Sequence, residues 1–472
     1  MKKLTAFACG LMVLGYGAAT AGPLDDQLLQ AVRNGDHAQI RTLLARHVNV
    51  NHRLYDKSTV LSWAVDRQDE DSVNLLLSAR AAVNLADAEG TVPIVLACEG
   101  GNPAIVQRLL GAGADARQLR RDGTSVLALC ARSSTPDVVE KLIAAGAAVD
   151  GANPEGQTPL MFAAAQGKVE NIQVLARHGA DANKATPKGF TPLFFAAKSG
   201  VAGAVPAIVE AGGNVAYVAP DGTTALHIAL FARNVAAAKY LVEHGADLQR
   251  WDLTGRQPLH VAAQLGDIEL AKLLLAKGAD PNSLTKTALR SVPHGENVLE
   301  AGRGGSFIPA ASDGDWKPKV VYMSLDGGVP PKPPSPATPL ILAARAGSAD
   351  MMKVLVAAGA KPTIKGPDGM GVLLAAAGSG NLDAVKYAVE IDPNVTQKAD
   401  GLDAMQMALL NPRAPDAEAI MQYLADHGAP LDGTNPRGQT TAAMAQRATP
   451  AMKALYAKLV AARAAAGGAP AK

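Results

Sequence analysis

Asp221 to Asn282 reads DGTTALHIALFARNVAAAKYLVEHGADLQRWDLTGRQPLHVAAQLGDIELAKLLLAKGADPN, which is one pattern stated twice. Thr224-Ala225-Leu226-His227 returns as Gln257-Pro258-Leu259-His260, and Gly245-Ala246-Asp247 returns as Gly278-Ala279-Asp280, 33 residues on in both cases. A fixed period of this length implies a solenoid, whose units bury their apolar faces only by stacking on their neighbours. Taken as a register mark, the Thr224 position falls at Asp26, Thr59, Val92, Ser125, Thr158, Thr191, Thr224 and Gln257, always 33 apart. The next mark is Thr338, one period plus 48 residues further on, and Gly371, Asp403 and Thr440 follow. About twelve units are therefore expected between residues 22 and 460, all-α apart from short extended fingers.

Local chemistry agrees with that register. Pro159, Pro192, Pro258 and Pro339 stand where a helix begins, because a first-turn residue has no N–H partner to lose. The Thr before three of them is placed to cap the helix. Small pairs such as Ala163-Ala164, Ala262-Ala263 and Ala343-Ala344 allow helices to approach closely. Gly179, Gly245, Gly278 and Gly359 follow a second helix at the position where a left-handed residue ends it. Ile172, Leu175, Leu241, Leu273 and Leu274 keep the 3.6-residue period of a buried stripe.

The order of turn, T-P-L-H-x-A-A, Gly, a helix ending in L-L, then G-A-D and a finger resembles the ankyrin repeat, and the resemblance covers nearly the whole chain after residue 22. It implies pairs of short helices with a β-hairpin finger, a concave surface lined by finger tips and first-helix ends, and a protein-binding rather than a catalytic role. Exported bacterial members of similar layout act as accessory partners of periplasmic enzymes, redox enzymes included. The two ends depart from the pattern. Asp25, Asp26, Arg33 and Asn34 make the first unit polar, Gly371-Val372-Leu373 and Asp403-Ala404-Met405 replace T-P-L in the late units, and an Ala/Gly-rich tail occupies 461–472. Weaker order is expected there.

The N-terminus has the form of a cleavable signal peptide over residues 1–21. Lys2 and Lys3 supply the charged start, Leu4 to Tyr16 the apolar stretch, and Ala19-Thr20-Ala21 the cleavage site. An uncleaved anchor is the alternative, although the apolar run is short for a spanning helix. The mature protein is thus expected in the periplasm or outside the cell, with no membrane association after cleavage. Only Cys98 and Cys130 then remain, in a compartment that permits disulfides. Helix axes about 8–10 Å apart exceed the Cα separation of under about 7 Å that a disulfide requires. The preferred reading is therefore two buried free thiols.

Chemistry-bearing motifs are sparse. His227 and His260 belong to the repeat itself; His47, His178, His244 and His427 precede or mark helix ends, where cations are favoured. His37, His52 and His294 have no ligand-spaced partners in the sequence, and the chain contains no H-E-x-x-H, C-x-x-C, G-x-S-x-G or G-x-x-x-x-G-K. No catalytic residue, metal or cofactor is assigned. A net charge of +2 and 4% aromatic residues give no footprint for nucleic acid, and a monomer is expected.

Two surfaces remain. Residues 283–336 form an insertion on the finger side that carries Phe307, Trp316 and Tyr322 and ends in a stiff Val329-Pro330-Pro331-Lys332-Pro333-Pro334 run; it is either a loop folding back or a partner-docking arm. Gly302-Arg303-Gly304-Gly305 inside it reads as flexible insert rather than a phosphate loop. The second surface takes the residues after each A-A pair: Arg33, Arg67, Arg132, Lys198 and Arg345, with Asp66 and Glu99 interspersed and Phe231 at the centre. Finger tips add Arg120, Arg121, Lys188, Arg250 and Trp251. Arg and Trp dominate binding energies most often, so Arg67, Arg132, Lys198, Phe231, Trp251, Phe307, Trp316 and Tyr322 are the candidate partner-binding residues. A secreted effector binding a host protein is a second possibility. An enzyme built on Asp313, Asp315, Asp326 and His294 is a third, and a glycan binder stacking sugars on Trp251 and Trp316 a fourth.

Overall fold

The computed structural model describes residues 24–252, 254–286 and 335–465. The signal-like segment, the tail from 466 and most of the insertion lie outside them. So do Phe307, Trp316, Tyr322, the Gly302–Gly305 loop, and the acids and His294 of the enzymatic reading. Among the described residues the chain builds 24 helices and one pair of two-residue strands. They divide into two compact units, one reaching Ala148 and the other starting at Val149.

The first unit contains α1 (Leu24–Asn34), α2 (His37–Ala45), α3 (Val60–Asp66), α4 (Glu70–Ser78), α5 (Pro93–Gly100), α6 (Pro103–Gly111), α7 (Val126–Ser133) and α8 (Pro136–Ala144). Odd-numbered helices pack on odd and even on even, so that α1, α3, α5 and α7 form one layer and α2, α4, α6 and α8 the other. Between the layers lie fully buried side chains such as Leu28, Ile40, Leu61, Leu76, Ile94, Ile105 and Leu127.

The second unit repeats the scheme. Its first helices are α9 (Pro159–Ala165), α11 (Pro192–Ser199), α13 (Ala225–Phe231), α15 (Pro258–Leu265), α17 (Pro339–Arg345), α19 (Val372–Ala377), α21 (Ala404–Leu409) and α23 (Thr441–Arg447). Its second helices are α10 (Val169–Arg177), α12 (Ala204–Glu210), α14 (Val235–Glu243), α16 (Ile268–Ala276), α18 (Ala349–Ala357), α20 (Leu382–Ile391), α22 (Ala417–Asp426) and α24 (Pro450–Ala465).

The register marks act as caps. Thr59, Ser125, Thr158, Thr224, Thr338 and Thr440 each accept a hydrogen bond from the backbone N–H three residues on. Val92, Gly371 and, against expectation, Thr191 make no such bond, and Asp26 lies inside α1, where it and Asp25 occupy the first turn and suit the positive end of the helix dipole. At the other end, Gly245 and Gly278 take φ +89° and +90°, a conformation that costs glycine little and a β-carbon much.

Adjacent fingers are stitched by a side chain that the sequence did not announce. Asn183 donates to Gly212 O at 2.9 Å and accepts from Asn214 N at 2.8 Å. Asn84 makes the same pair with Gly113 and Asp115. Asn282 makes it with Gly359 and Lys361, across a separation of 77 and 79 residues instead of 29 and 31. Helix α15 accordingly packs on α17, and α16 on α18, as direct neighbours. The chain leaves and re-enters this stack at one point, where Thr285 N–H donates to Ala337 O and Ala337 N–H to Thr285 Oγ1, both at 2.9 Å.

Two expectations are corrected, on the cysteines and on the C-terminal tail. Cys98 and Cys130 are not free thiols but a disulfide joining α5 to α7, with Cα atoms 4.7 Å apart and both residues fully buried. The axis-to-axis distance is the wrong measure, because both residues lie on the sides of their helices that face each other. The late units keep helix pairs despite their degenerate marks. Gly371 offers α19 no side-chain cap, whereas Asp403 and Gln406 form a reciprocal capping box on α21, replacing Thr and His by another pair of acceptors for backbone N–H groups. Finally, α24 continues to Ala465 rather than fraying from Ala461. Arg463 fastens it by donating to Ala425 O and Ala429 O, at 2.9 and 2.8 Å, near the end of α22.

Candidate functional site

The first-helix face has one position per repeat that follows the buried A-A pair. In the second unit those positions are Lys198, Phe231, Gln264 and Arg345, at the C-terminal ends of α11, α13, α15 and α17. These four helices pack consecutively, so the four side chains form a stripe. Lys198 and Phe231 are half-buried and Arg345 is exposed. Burial pulls the Lys198 ammonium down to about 8, since a half-dry ammonium is less well solvated than one in water.

Finger residues complete the stripe. The Arg256 guanidinium carbon lies 5.7 Å from the Phe231 ring centroid, and Arg256 Nη1 donates to Gln264 Oε1 at 2.8 Å, so this one cation spans α13 and α15. Its Nε is 3.3 Å from Asp252 Oδ2. Asp252 is buried, and its other oxygen accepts from Thr254 N, Thr254 Oγ1 and Arg256 N. This carboxylate is thus spent on shaping the finger. Beside it, the Lys286 ammonium sits 3.7 Å from the centroid of the Trp251 ring, a cation–π contact. Arg250, on the flank, faces Asp247 at 3.5 Å.

Two buried histidines hold this finger in place. Thr224 N–H donates to His227 Nδ1 and Gln257 N–H to His260 Nδ1. These bonds leave the proton on Nε2, which His227 donates to Arg250 O and His260 to Ser283 O. Burial pushes both imidazoles below their ordinary value, His260 to about 4. Both nitrogens are therefore committed in the neutral form. The expected structural role of these histidines is what the geometry displays: they tie each finger, and so Trp251, to the helix before it.

The first unit uses the same positions differently. Glu99, at the position of Phe231, accepts from Arg120 Nη1 at 3.1 Å, and Arg120 also pairs with Asp122. Arg120 in turn holds the Asp122 carboxyl down at about 2. Arg121 pairs with Glu89. Two cations expected on a basic groove are thus neutralised by carboxylates of their own and neighbouring fingers. Arg33 stacks over Trp63 with its guanidinium carbon 4.2 Å from the ring centroid, and Trp63 Nε1 donates to Ser58 Oγ. Arg67 is exposed just past α3 and Arg132 half-buried in the last turn of α7. Of the candidate residues, the structure brings Lys198, Phe231 and Trp251 into one stretch of the second unit, while Arg67 and Arg132 lie in the first; Arg256, Lys286 and Gln264 were missed. Arg256 and Lys286 have no repeat signature, and only the folded finger shows where they point.

Elsewhere, His37 meets Asp69 at 3.0 Å and His52 meets Asp25 at 3.4 Å, carboxylate partners that sequence spacing did not reveal. Among the described residues no group of His, Cys, Asp and Glu is arranged to hold a metal ion, and no helix is long and apolar enough to cross a membrane. A groove of about 610 Å³ opens between α18 and α20, lined by Ser348, Asp350, Lys353, Asn381, Lys386 and Tyr387. Its mixed charges converge on no point.

A family model described as ankyrin repeats (3 copies) matches residues 28–120, 127–218, 201–285 and 340–435, together well over half of the 472 residues.

Proposed function

Because this chain belongs to the ankyrin-repeat family, whose repeats are generally protein–protein interaction modules, we propose that it is an exported, non-enzymatic adaptor. In this reading it acts as a monomer of twelve repeats in a bacterial periplasm, where it binds a partner protein such as a periplasmic enzyme. The contact is made by the first-helix face of the second unit together with the finger insertion at 283–336. The observation that carries the reading is the stripe itself: Arg256 lies over Phe231 and Lys286 over Trp251, with Lys198 and Arg345 at the ends of the flanking first helices, across four consecutive ones. Cations and aromatic rings set on a rigid scaffold are the residue types that anchor protein interfaces. Export is supported by the Lys2-Lys3 start, the apolar run and the Ala19-Thr20-Ala21 site. The buried Cys98–Cys130 disulfide also supports it, since such bonds persist in oxidising compartments.

The test is affinity capture from a cross-linked periplasmic extract, using tagged mature chain beside the same chain lacking Leu284–Pro336. The expected result is one stoichiometric protein partner. Its retention by the deletion places the contact on the stripe, and its loss places the contact on the insertion. An empty eluate in both lanes contradicts the proposal.

A further inference from the structure

We propose that a short groove between α21 and α23 receives the C-terminal residue of the partner protein, with its large apolar side chain in the groove and its α-carboxylate on Arg447. This rests on the protein-binding reading above and names the part of the partner that is held.

The groove follows from a departure in the repeat. Asp403 and Thr440 stand 37 residues apart, where the period is 33. Three of the four added residues fall in the turn from Leu410 to α22, which holds Pro412 and Pro415. Two prolines in so short a turn keep it stiff, and insertions in a solenoid go to loops on one face, often the binding face. Helices α21 and α23 are packed neighbours. Leu409 and Pro412 line the groove on the α21 side, and Ala443, Met444 and Arg447 on the α23 side, with Gln439 just ahead of them. Residues three and four apart share one face of a helix, which is why these three meet the same space. Arg447 and Gln439 hold the register positions of Phe231 and Arg256, so the groove continues the face already described. Leu410, at the Phe231 position of the preceding repeat, is 58% exposed and adds an apolar side chain to that face.

Size sets what can enter. The groove holds about 190 Å³, somewhat more than the roughly 150 Å³ cavity that takes up a benzene ring. Small-molecule sites are larger, at about 300–1,000 Å³. One leucine, methionine or phenylalanine side chain is the matching occupant.

Charge sets what accompanies that side chain. No carboxylate lines the groove, and the exposed Arg447 guanidinium has no partner among the described residues. Asn435 Nδ2 donates to Gln439 Oε1 at 3.1 Å, which orients the Gln439 amide and leaves its nitrogen as a donor. The complement of an apolar floor flanked by donors is an apolar group bearing an anion. Spacing then selects the anion. Met444 and Arg447, three apart on a helix, have β-carbons about 5–6 Å apart. In an extended segment, adjacent side chains point to opposite faces and those on one face recur at about 6.6 Å. A C-terminal residue instead carries its carboxylate on the same Cα as its side chain, and so fits the shorter spacing.

The test uses mature full-length protein in anisotropy titrations with short Gly/Ser peptides labelled with fluorescein at the N-terminus. One ends in leucine with a free carboxylate, a second in leucine amide and a third in serine with a free carboxylate. A fourth is amidated and carries leucine and glutamate two residues apart in its interior. The first should bind, and the amide and the serine end should each weaken binding about tenfold or more. Arg447→Gln should remove the preference for acid over amide. Ala443→Phe, which fills the groove from an exposed position, should abolish binding of both, and far-UV circular dichroism should be unchanged in each variant. Arg117→Gln, in the first unit, should alter nothing. Equal binding of acid and amide by the parent overturns the inference, as does a fourth peptide that binds as well as the first. An unaffected Ala443→Phe chain overturns it too, and so does self-association of the parent that is lost in Arg447→Gln, which would make a second copy the occupant. A protein partner captured equally by the parent and by the chain with both substitutions also overturns it while leaving the binding reading intact. Selective binding of the free acid with no captured protein upholds the chemistry of the groove and counts against the reading instead.

Discussion

Glu99 and Phe231 occupy the same place in the repeat, four periods apart, and so do Arg120 and Asp252 in the fingers. In the first unit helix and finger answer each other: Glu99 meets Arg120, Asp122 joins them, and a disulfide fixes the helices beneath. In the second unit the helix offers an aromatic ring and the finger a buried carboxylate that pairs with Arg256 beside that ring, while the exposed Lys286 lies on Trp251. The backbone is the same in both. A repeat scaffold thus keeps the positions that stacking requires apart from those that vary at its surface. Caps, Ala pairs and glycine turns recur because stacking requires them, while two positions per repeat are free either to close on themselves or to remain open to a partner.

The largest expected effect tests the closed half. Cys98→Ser with Cys130→Ser removes a link around a 32-residue separation, for which loop-closure entropy gives about 3–4 kcal/mol. Urea unfolding followed by circular dichroism should show the first unit losing that much stability and the second unit almost none. Equal losses in both would mean that the two halves are not energetically separate.

The second effect belongs to the open half and is a matter of pH. The unfolded imidazole of His260 titrates near 6.5 and the folded one at about 4. Between these values the unfolded state binds more protons, so stability is lost as pH falls through that window. At about 1.4 kcal/mol per unit the loss approaches roughly 3 kcal/mol. His260→Gln should be less stable than the parent at pH 7 and should flatten the fall between pH 6.5 and 4. An unchanged acid limb in the variant would show that His260 does not govern it.

The smallest effect sharpens the comparison itself. Glu99→Gln breaks a partly exposed ion pair with Arg120 and should cost under about 1 kcal/mol. Combined with Asp122→Asn, it leaves Arg120 without either carboxylate and turns a closed position into an open one. Urea unfolding of the double variant should show a loss of no more than about 1 kcal/mol per pair. A larger loss would mean that Arg120 is a strut of the first unit rather than a surface charge.

The architecture was legible because it is repetitive. A 33-residue register, Thr caps, first-turn prolines and G-A-D stops each have a local cause, and their agreement along the chain leaves little room for another fold. What escaped the sequence depends on distances between repeats. Cys98 and Cys130 are 32 residues apart, one short of the period, which places them on facing sides of α5 and α7 rather than at equivalent points. His37 meets Asp69 across helices, and Arg120 reaches Glu99 only once the finger has folded. The candidate site was half legible. Lys198, Phe231 and Trp251 stand out by residue type at marked positions. Arg256 and Lys286 lie in irregular finger segments, and Lys286 gains its meaning from the Trp251 ring of the previous finger.

The central claim is that recognition occurs on the second unit's stripe. Its most direct test is site-specific photo-crosslinking, with a benzophenone amino acid placed at Phe231 and, in a matched chain, at the equivalent Glu99 position. Irradiation of the producing cells should yield one discrete protein adduct from position 231 and none from position 99. Adducts of equal yield from both positions, or from position 99 alone, would contradict the account.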